Sequence, residues 1–307
     1  MNNKLLEQYK KYDNLNINTP LIKILVSYIK PSFLFKSDIL TPIHLGCAVE
    51  KEYSKDGIVS DEDIKWLHEN CIGDNDFEGN ISAVNRRVGF FTGTYWAWKN
   101  YEKLGNPEYF GSFGYRRLYN PAFLKNLTEY DCIVPLQVDF SKTGPSIREH
   151  VLKLQGDALL KATINIFNKI YPNENKAFLE YLEMHQAFMY ELYVMKKNIF
   201  FEFCEWINPL ILEFLKIPPS ELSFINKDSL AAKYIEKTGE SRDIAYAIEI
   251  LTGYFCYQLT LDKNIKIKYE EIVFIKDKLT IKNRNQIIST LIHEKFKSKK
   301  EFYNDNM

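Results

Sequence analysis

Apolar residues fall into short unbroken runs in the first half of the chain and into helical spacing in the second. Ile22-Lys23-Ile24-Leu25-Val26-Ser27-Tyr28, stopped near Pro31, has the length and β-branched content of a buried strand. The segment Ile43 to Val49 is compact enough for a second strand or the start of a helix. Phe91 to Tyr101 spaces its aromatics helically up to Gly105-Asn106-Pro107, and a brief strand, Glu108-Tyr109-Phe110-Gly111, follows. Ile133-Val134-Pro135 reads as another strand. Residues 147–170, 175–189, 200–215 and 241–259 repeat apolar positions every three or four residues, which predicts helices. Between two of these, Tyr190 to Met195 reads as a strand.

Strands alternating with helices predict an α/β fold with a mainly parallel central sheet flanked by helices, its ligands beyond the carboxyl ends of the strands. Residues 1–20, polar and Asn-rich, form an arm or short helix ahead of the main domain at 21–262. From Lys263 to Lys300 there are eleven Lys/Arg against four Asp/Glu, so residues 263–307 read as a basic extension. A solvated tail is the plain reading of that extension. Attraction to an anionic membrane surface is the sharper one.

The 307 residues are 46% hydrophobic, enough to bury a substantial core, and forty basic residues balance forty acidic ones. No global field draws the chain to nucleic acid. Five cysteines, odd in number and widely spaced, make no zinc-ligand pattern and read as reduced thiols. With no leader-like start and no apolar run of eighteen residues, the expectation is a cytoplasmic protein.

Two stretches carry chemistry. Tyr109 to Tyr119 is an apolar strand that stops at glycine and then presents Tyr115, Arg116 and Arg117. Paired guanidinium groups suit phosphate oxygens and tyrosines suit a base or sugar hydroxyl, although the same arginines would also serve salt bridges to a helix. In Tyr95-Trp96-Ala97-Trp98-Lys99-Asn100, the two tryptophans cannot share a helix face, so one packs in the core and the other is left to edge a pocket.

In order, these stretches and their neighbours resemble the family called domain of unknown function 4422, whose members occur in capsule and lipopolysaccharide synthesis and include galactofuranosyltransferase-type enzymes. The matching elements are Tyr28-Ile29-Lys30-Pro31, Pro42 to Ala48, Gly79 to Asn85 without its Asp, the complete run 95–100, Gly111 to Leu118, Val194 to Lys197, and Phe203 to Trp206. The resemblance covers roughly residues 22–260. It implies a GT-A-like glycosyltransferase fold, a nucleotide-sugar donor, UDP-linked, and a glycan or lipid-linked glycan acceptor at the cytoplasmic face of the inner membrane. The donor-binding set it suggests is Ser27, Tyr28, Lys30, Asn80, Asn85, Trp98, Lys99, Tyr115, Arg116 and Arg117. Asn80 and Asn85 also suit a purely local role in their own turns. Where the family has histidines this chain has Ile29 and Gly114, where it has an acid this chain has Phe90, and an asparagine of the family is Glu191 here.

Glycosyltransferases of this fold commonly hold a metal through Asp-x-Asp. Asp61-Glu62-Asp63 fits that spacing, yet Ser60 before it makes the group a capped helix start. The expectation is therefore that Arg116 and Arg117 neutralise the diphosphate with no cofactor required, a Mn²⁺ or Mg²⁺ ion staying open. Asp243, then Glu249 and Glu191, are candidates for the catalytic base, with helix capping or a solvated face as their plainer readings. His185 is a candidate acceptor contact or a structural histidine. A non-catalytic glycan- or nucleotide-binding protein is the alternative that Ile29, Phe90 and Gly114 allow.

Overall fold

The structure, a computed structural model, describes residues 2–16, 20–49, 60–141, 146–222 and 242–275. A sheet of nine strands runs through the described residues in the order β10-β6-β9-β4-β1-β2-β3. Here β1 is Ile22–Tyr28, β2 Leu40–His44, β3 Ile72–Gly73, β4 Tyr109–Gly114, β6 Cys132–Pro135, β9 Tyr193–Lys196 and β10 Ile267–Glu270. The block β3-β2-β1-β4 is parallel, β10 is parallel to β6, and β9 alone runs antiparallel between β4 and β6. The short β5 (Arg117–Tyr119) hangs from the end of β4 and pairs with β11 (Ile272–Phe274). A separate two-stranded ribbon joins β7 (Val138–Asp139) to β8 (Gln186–Ala187).

Both faces of the sheet are buried, which is why β1 reads as a continuous apolar run. Ile22, Ile24, Val26 and Tyr28 face one cluster together with Tyr109 and Phe113 of β4 and Val194 of β9. Helix α1 (Asn2–Lys10) covers that side with Leu5 and Tyr9, and the Tyr9 hydroxyl donates to the Tyr119 carbonyl at 2.7 Å. The N-terminal arm is thus a packed helix. Leu25, Phe110, Tyr193 and Met195 alternate to the other face. They pack under α4 (Phe91–Lys99), α6 (Asp157–Ile170), α8 (Lys197–Leu215) and α10 (Asp243–Leu261).

Several boundaries differ from the sequence reading. The helix predicted over 147–170 is broken by Gly156, whose φ of +92° no ordinary helix residue adopts, into α5 (Ile147–Gln155) and α6. The helix predicted over 175–189 stops at Leu182 (α7, Asn175–Leu182), because Gln186 and Ala187 pair with β7. The strand predicted from Tyr190 begins only at Tyr193, since Tyr190 and Glu191 have φ of +79° and +51°. Residues 267–274 of the basic extension are strands of the central sheet, and the rest of that extension after residue 275 lies outside the described residues. Asp61 opens α2 (Asp61–Asn70) inside a capping box: the Ser60 hydroxyl accepts from Asp63 N at 3.1 Å and the Asp63 carboxylate accepts from Ser60 N at 3.1 Å. No helix among the described residues is long and apolar enough to cross a membrane.

Candidate functional site

Because β1, β2 and β4 are parallel, their chains all leave the sheet at one edge, and β9, running the other way, enters there. A cleft of about 590 Å³ opens at that edge. Ser27 and Ile29 come to it from β1, Leu45 from β2, Gly114 to Arg117 from β4, and Met189 to Glu191 from the turn before β9. Across from them, Arg242, Ala245, Tyr246 and Glu249 lie three and four residues apart on one face of α10. Asn85, Gly89 and Phe90 close one side; Val138, Asp139, Phe140 and His150 close the other.

The basic turn is anchored from beneath. Tyr115 is buried and stacks on Tyr28, ring centroids 5.3 Å apart, so the chain turns over it and leaves the half-buried Arg116 and Arg117 at the cleft. The Arg117 guanidinium lies 4.7 Å from the Tyr190 ring, and Arg116 lies 5.3 Å from that of Tyr115. Phe274 pairs with Arg117 across β5 and β11, packs edge-on against Tyr190, and is followed by Ile275, whose N–H donates to the Arg116 carbonyl at 2.9 Å. The C-terminal strands therefore help to build the turn. A separate tail would not.

Beside the arginines is a pair of carboxyls. Glu249 accepts the Tyr190 N–H at 2.6 Å, and the Leu192 carbonyl is held by the Tyr119 hydroxyl at 2.9 Å, so Glu191 is clamped from both sides in its left-handed conformation. Burial, reinforced by the nearby Glu249 charge, pushes the Glu191 carboxyl well above the usual carboxylate range, with Arg117 pulling the other way. Burial likewise raises Glu249, opposed by the Tyr190 N–H and by Arg117. A carboxyl with raised proton affinity is a stronger base towards a bound hydroxyl once it is ionised, and the arginines can hold a diphosphate.

Of the residues singled out from the sequence, Ser27, Asn85, Tyr115, Arg116, Arg117, Glu191 and Glu249 line this cleft. The others are not among its lining residues. Tyr28 is fully buried and its hydroxyl bonds the Phe33 carbonyl and the Phe35 N–H, while Lys30 is buried behind it. Asn80 is spent on its own turn, donating to the Phe77 carbonyl at 2.8 Å and accepting from Ser82 N. Trp96 packs in the core. Trp98 is covered by its neighbour Lys99, whose Nζ lies 3.3 Å from the ring. His185 is an exposed residue of the α7–β8 loop. Asp243 opens α10, and its side chain lies outside the described residues. Beside the Gly79–Asn85 element, buried Asp74 accepts the Ser82 hydroxyl and also the N–H groups of Gly46 and Cys47. Sequence reading passed over Arg242, Tyr246 and Asp139; the first two share a helix face with Glu249, and that spacing was a usable signal.

No three His, Cys, Asp or Glu side chains come together as a metal cluster among the described residues.

The apo structure of the bifunctional glycosyltransferase WbbM shares this fold, with a TM-score of 0.62 and 20% sequence identity over 83% of this chain. The chain spans 45% of WbbM, under half its length. The X-ray structure of the mannosyltransferase Ktr4p from S. cerevisiae, at 9% identity over 70% of this chain and 72% of its own, has a TM-score of 0.26, too low to carry any argument. No curated protein matches. The family described as Domain of unknown function (DUF4422) matches residues 23–223, about two thirds of the sequence. The chain belongs to that family, and its α/β sheet with helices on both faces is the fold of a glycosyltransferase.

Proposed function

We propose that the chain transfers a sugar from a nucleoside diphosphate donor, UDP-linked, to a hydroxyl of a bacterial surface glycan. The observation that carries this reading is the meeting, in one cleft at the carboxyl edge of the sheet, of Arg116 and Arg117 with Glu191 and Glu249. The arginines receive the diphosphate. Glu191 takes the proton of the acceptor hydroxyl as its oxygen bonds the anomeric carbon, and the anomeric C–O bond breaks with its electron pair leaving on the diphosphate, where the guanidinium charge stabilises it. Glu249 positions Glu191 through the Tyr190 N–H. Glu191 replaces Asp243 as the first candidate for the base on the strength of this geometry.

The acceptor belongs to capsule or lipopolysaccharide, lipid-linked and reached at the cytoplasmic face of the inner membrane, and the donor sugar is of the galactofuranosyl type or a related hexose. A second reading, a binding protein without turnover, draws on the apolar wall that Ile29, Phe90 and Gly114 give the cleft. Release of UDP from UDP-sugars separates the two. Slow hydrolysis that persists in EDTA and is lost on changing both arginines to alanine supports transfer; nucleotide binding with no release supports the binder. Strict dependence on Mn²⁺ or Mg²⁺ would sink the arginine-based stabilisation.

A further inference from the structure

Phe90 lines the cleft beside the basic turn. Its ring lies so close to the basic turn that a β-carbon on Gly114 would be 3.1 Å from Cζ. On the other side, a β-carbon on Gly89 would be 3.1 Å from Cβ of Ala245, one helical turn before Glu249. A sugar whose diphosphate is held by the arginines that follow Gly114 therefore comes up beside Phe90. Around the ring, Ile29 and Leu45 continue an apolar surface and Gly114 offers no side chain. Asn85 is committed, donating to the Gly89 carbonyl and to Thr92 Oγ1 at 2.8 Å each.

We propose that the transferred sugar presents a methyl group to this wall, the C6 methyl of a 6-deoxyhexose or the methyl of an N-acetyl group, and that Phe90 selects it. The inference rests on the glycosyl-transfer reading above. A hydroxymethyl group placed against the ring gives up hydrogen bonds to water and gains none from Phe90, Ile29 or Leu45, whereas a methyl group loses nothing. An apolar pocket discriminates against one added hydroxyl by up to about a hundredfold.

Nucleoside diphosphate release by the full chain is compared for three matched pairs: UDP-galactose against UDP-6-deoxygalactose, GDP-mannose against GDP-6-deoxymannose, and UDP-glucose against UDP-N-acetylglucosamine. The expected result is a kcat/KM ratio of about 10 to 100 favouring a methyl-bearing donor, with the ratio collapsing towards one in Phe90→Ser. Preference within either of the first two pairs assigns the 6-deoxy sugar, and preference within the third assigns the N-acetyl group. Equal or reversed ratios in the unaltered chain overturn the inference and leave glycosyl transfer standing, as does a Phe90→Ser variant that keeps the original ratio. Release from no donor, with no thermal shift on adding UDP or GDP, overturns the transfer reading and this inference with it. The ratios of the unaltered chain decide on their own, so a variant that fails to fold does not spoil the test.

Discussion

Gly253 lies inside α10, where alanine is ordinarily the better helix former by about 1 kcal/mol. Gly253→Ala is nevertheless expected to destabilise the protein and to damage the site. A β-carbon at 253 would lie 2.6 Å from the Tyr181 hydroxyl and 2.5 Å from the carbonyl oxygen of Phe188. A tyrosine ring can swing aside; a backbone carbonyl moves only with its segment. Ordinary contact begins near 3.4 Å, so that segment must retreat by about 0.9 Å, the difference between 3.4 and 2.5. Two and three residues on are Tyr190 and Glu191, and Glu249, one turn from Gly253, holds the Tyr190 N–H. Overpacking against a backbone atom is at the costly end of the range, about 3 kcal/mol. Less the helix gain, about 2 kcal/mol is lost, which lowers Tm by roughly 4 °C in a domain of this size. Turnover should suffer more, because a displacement near 1 Å at a reacting group costs about a hundredfold. Thermal unfolding and UDP release measured on the same preparation check both numbers. A variant with unchanged or higher Tm and full turnover would refute the close packing of α10 on the 188–191 turn.

Glu191→Gln should lower turnover by about 10²- to 10⁴-fold while gaining stability over the unaltered chain at pH 7. The sign follows from the raised carboxyl: its contribution to stability is present below the unfolded pKa and lost as pH rises through the folded one, so the variant's advantage should vanish near pH 4 in denaturant titrations. For the same reason turnover of the unaltered chain should fall on the acid side at a pH above the ordinary carboxylate range. Arg117→Lys keeps the charge but loses the fork and the Tyr190 contact; UDP affinity by calorimetry should drop about tenfold or more, with a steeper loss for Arg117→Ala. Ser60→Ala should cost about 1 kcal/mol through its cap and leave turnover unchanged, whereas a loss of activity would return Asp61 to Asp63 to consideration as a functional group.

What could be read from the sequence was whatever depends on one chain segment at a time. The ends of β1 at Ile22 and Tyr28 follow from an apolar run buried on both faces, and the Ser60 box is complete within four residues. The arginines could be found because a strand stops at glycine immediately before them. Polar candidates fared differently. Asn80 and Tyr28 satisfy backbone groups within a few residues of themselves, and composition cannot tell such spending from ligand binding. The extension after residue 262 was misplaced for the opposite reason: β10 and β11 pair with strands more than a hundred residues earlier, a contact that periodicity does not encode.

The most informative misreading is Tyr190 to Leu192, which has a strand's pattern and is no strand. Two successive non-glycine residues in the left-handed region cost about 1–3 kcal/mol each. They persist because the turn is over-determined: Glu249 holds the Tyr190 N–H, Tyr119 holds the Leu192 carbonyl, and the Tyr190 ring packs between Arg117 and Phe274. On top of that strain, the turn buries a carboxyl beside a second carboxyl. Folding alone would be better served by a neutral residue at 191 and by extending β9 backwards by two residues. The two departures from local preference meet at one residue, and it is one that lines the cleft within the field of Arg117. A cost to stability concentrated at that point is what a catalytic base requires and what a purely structural residue would shed.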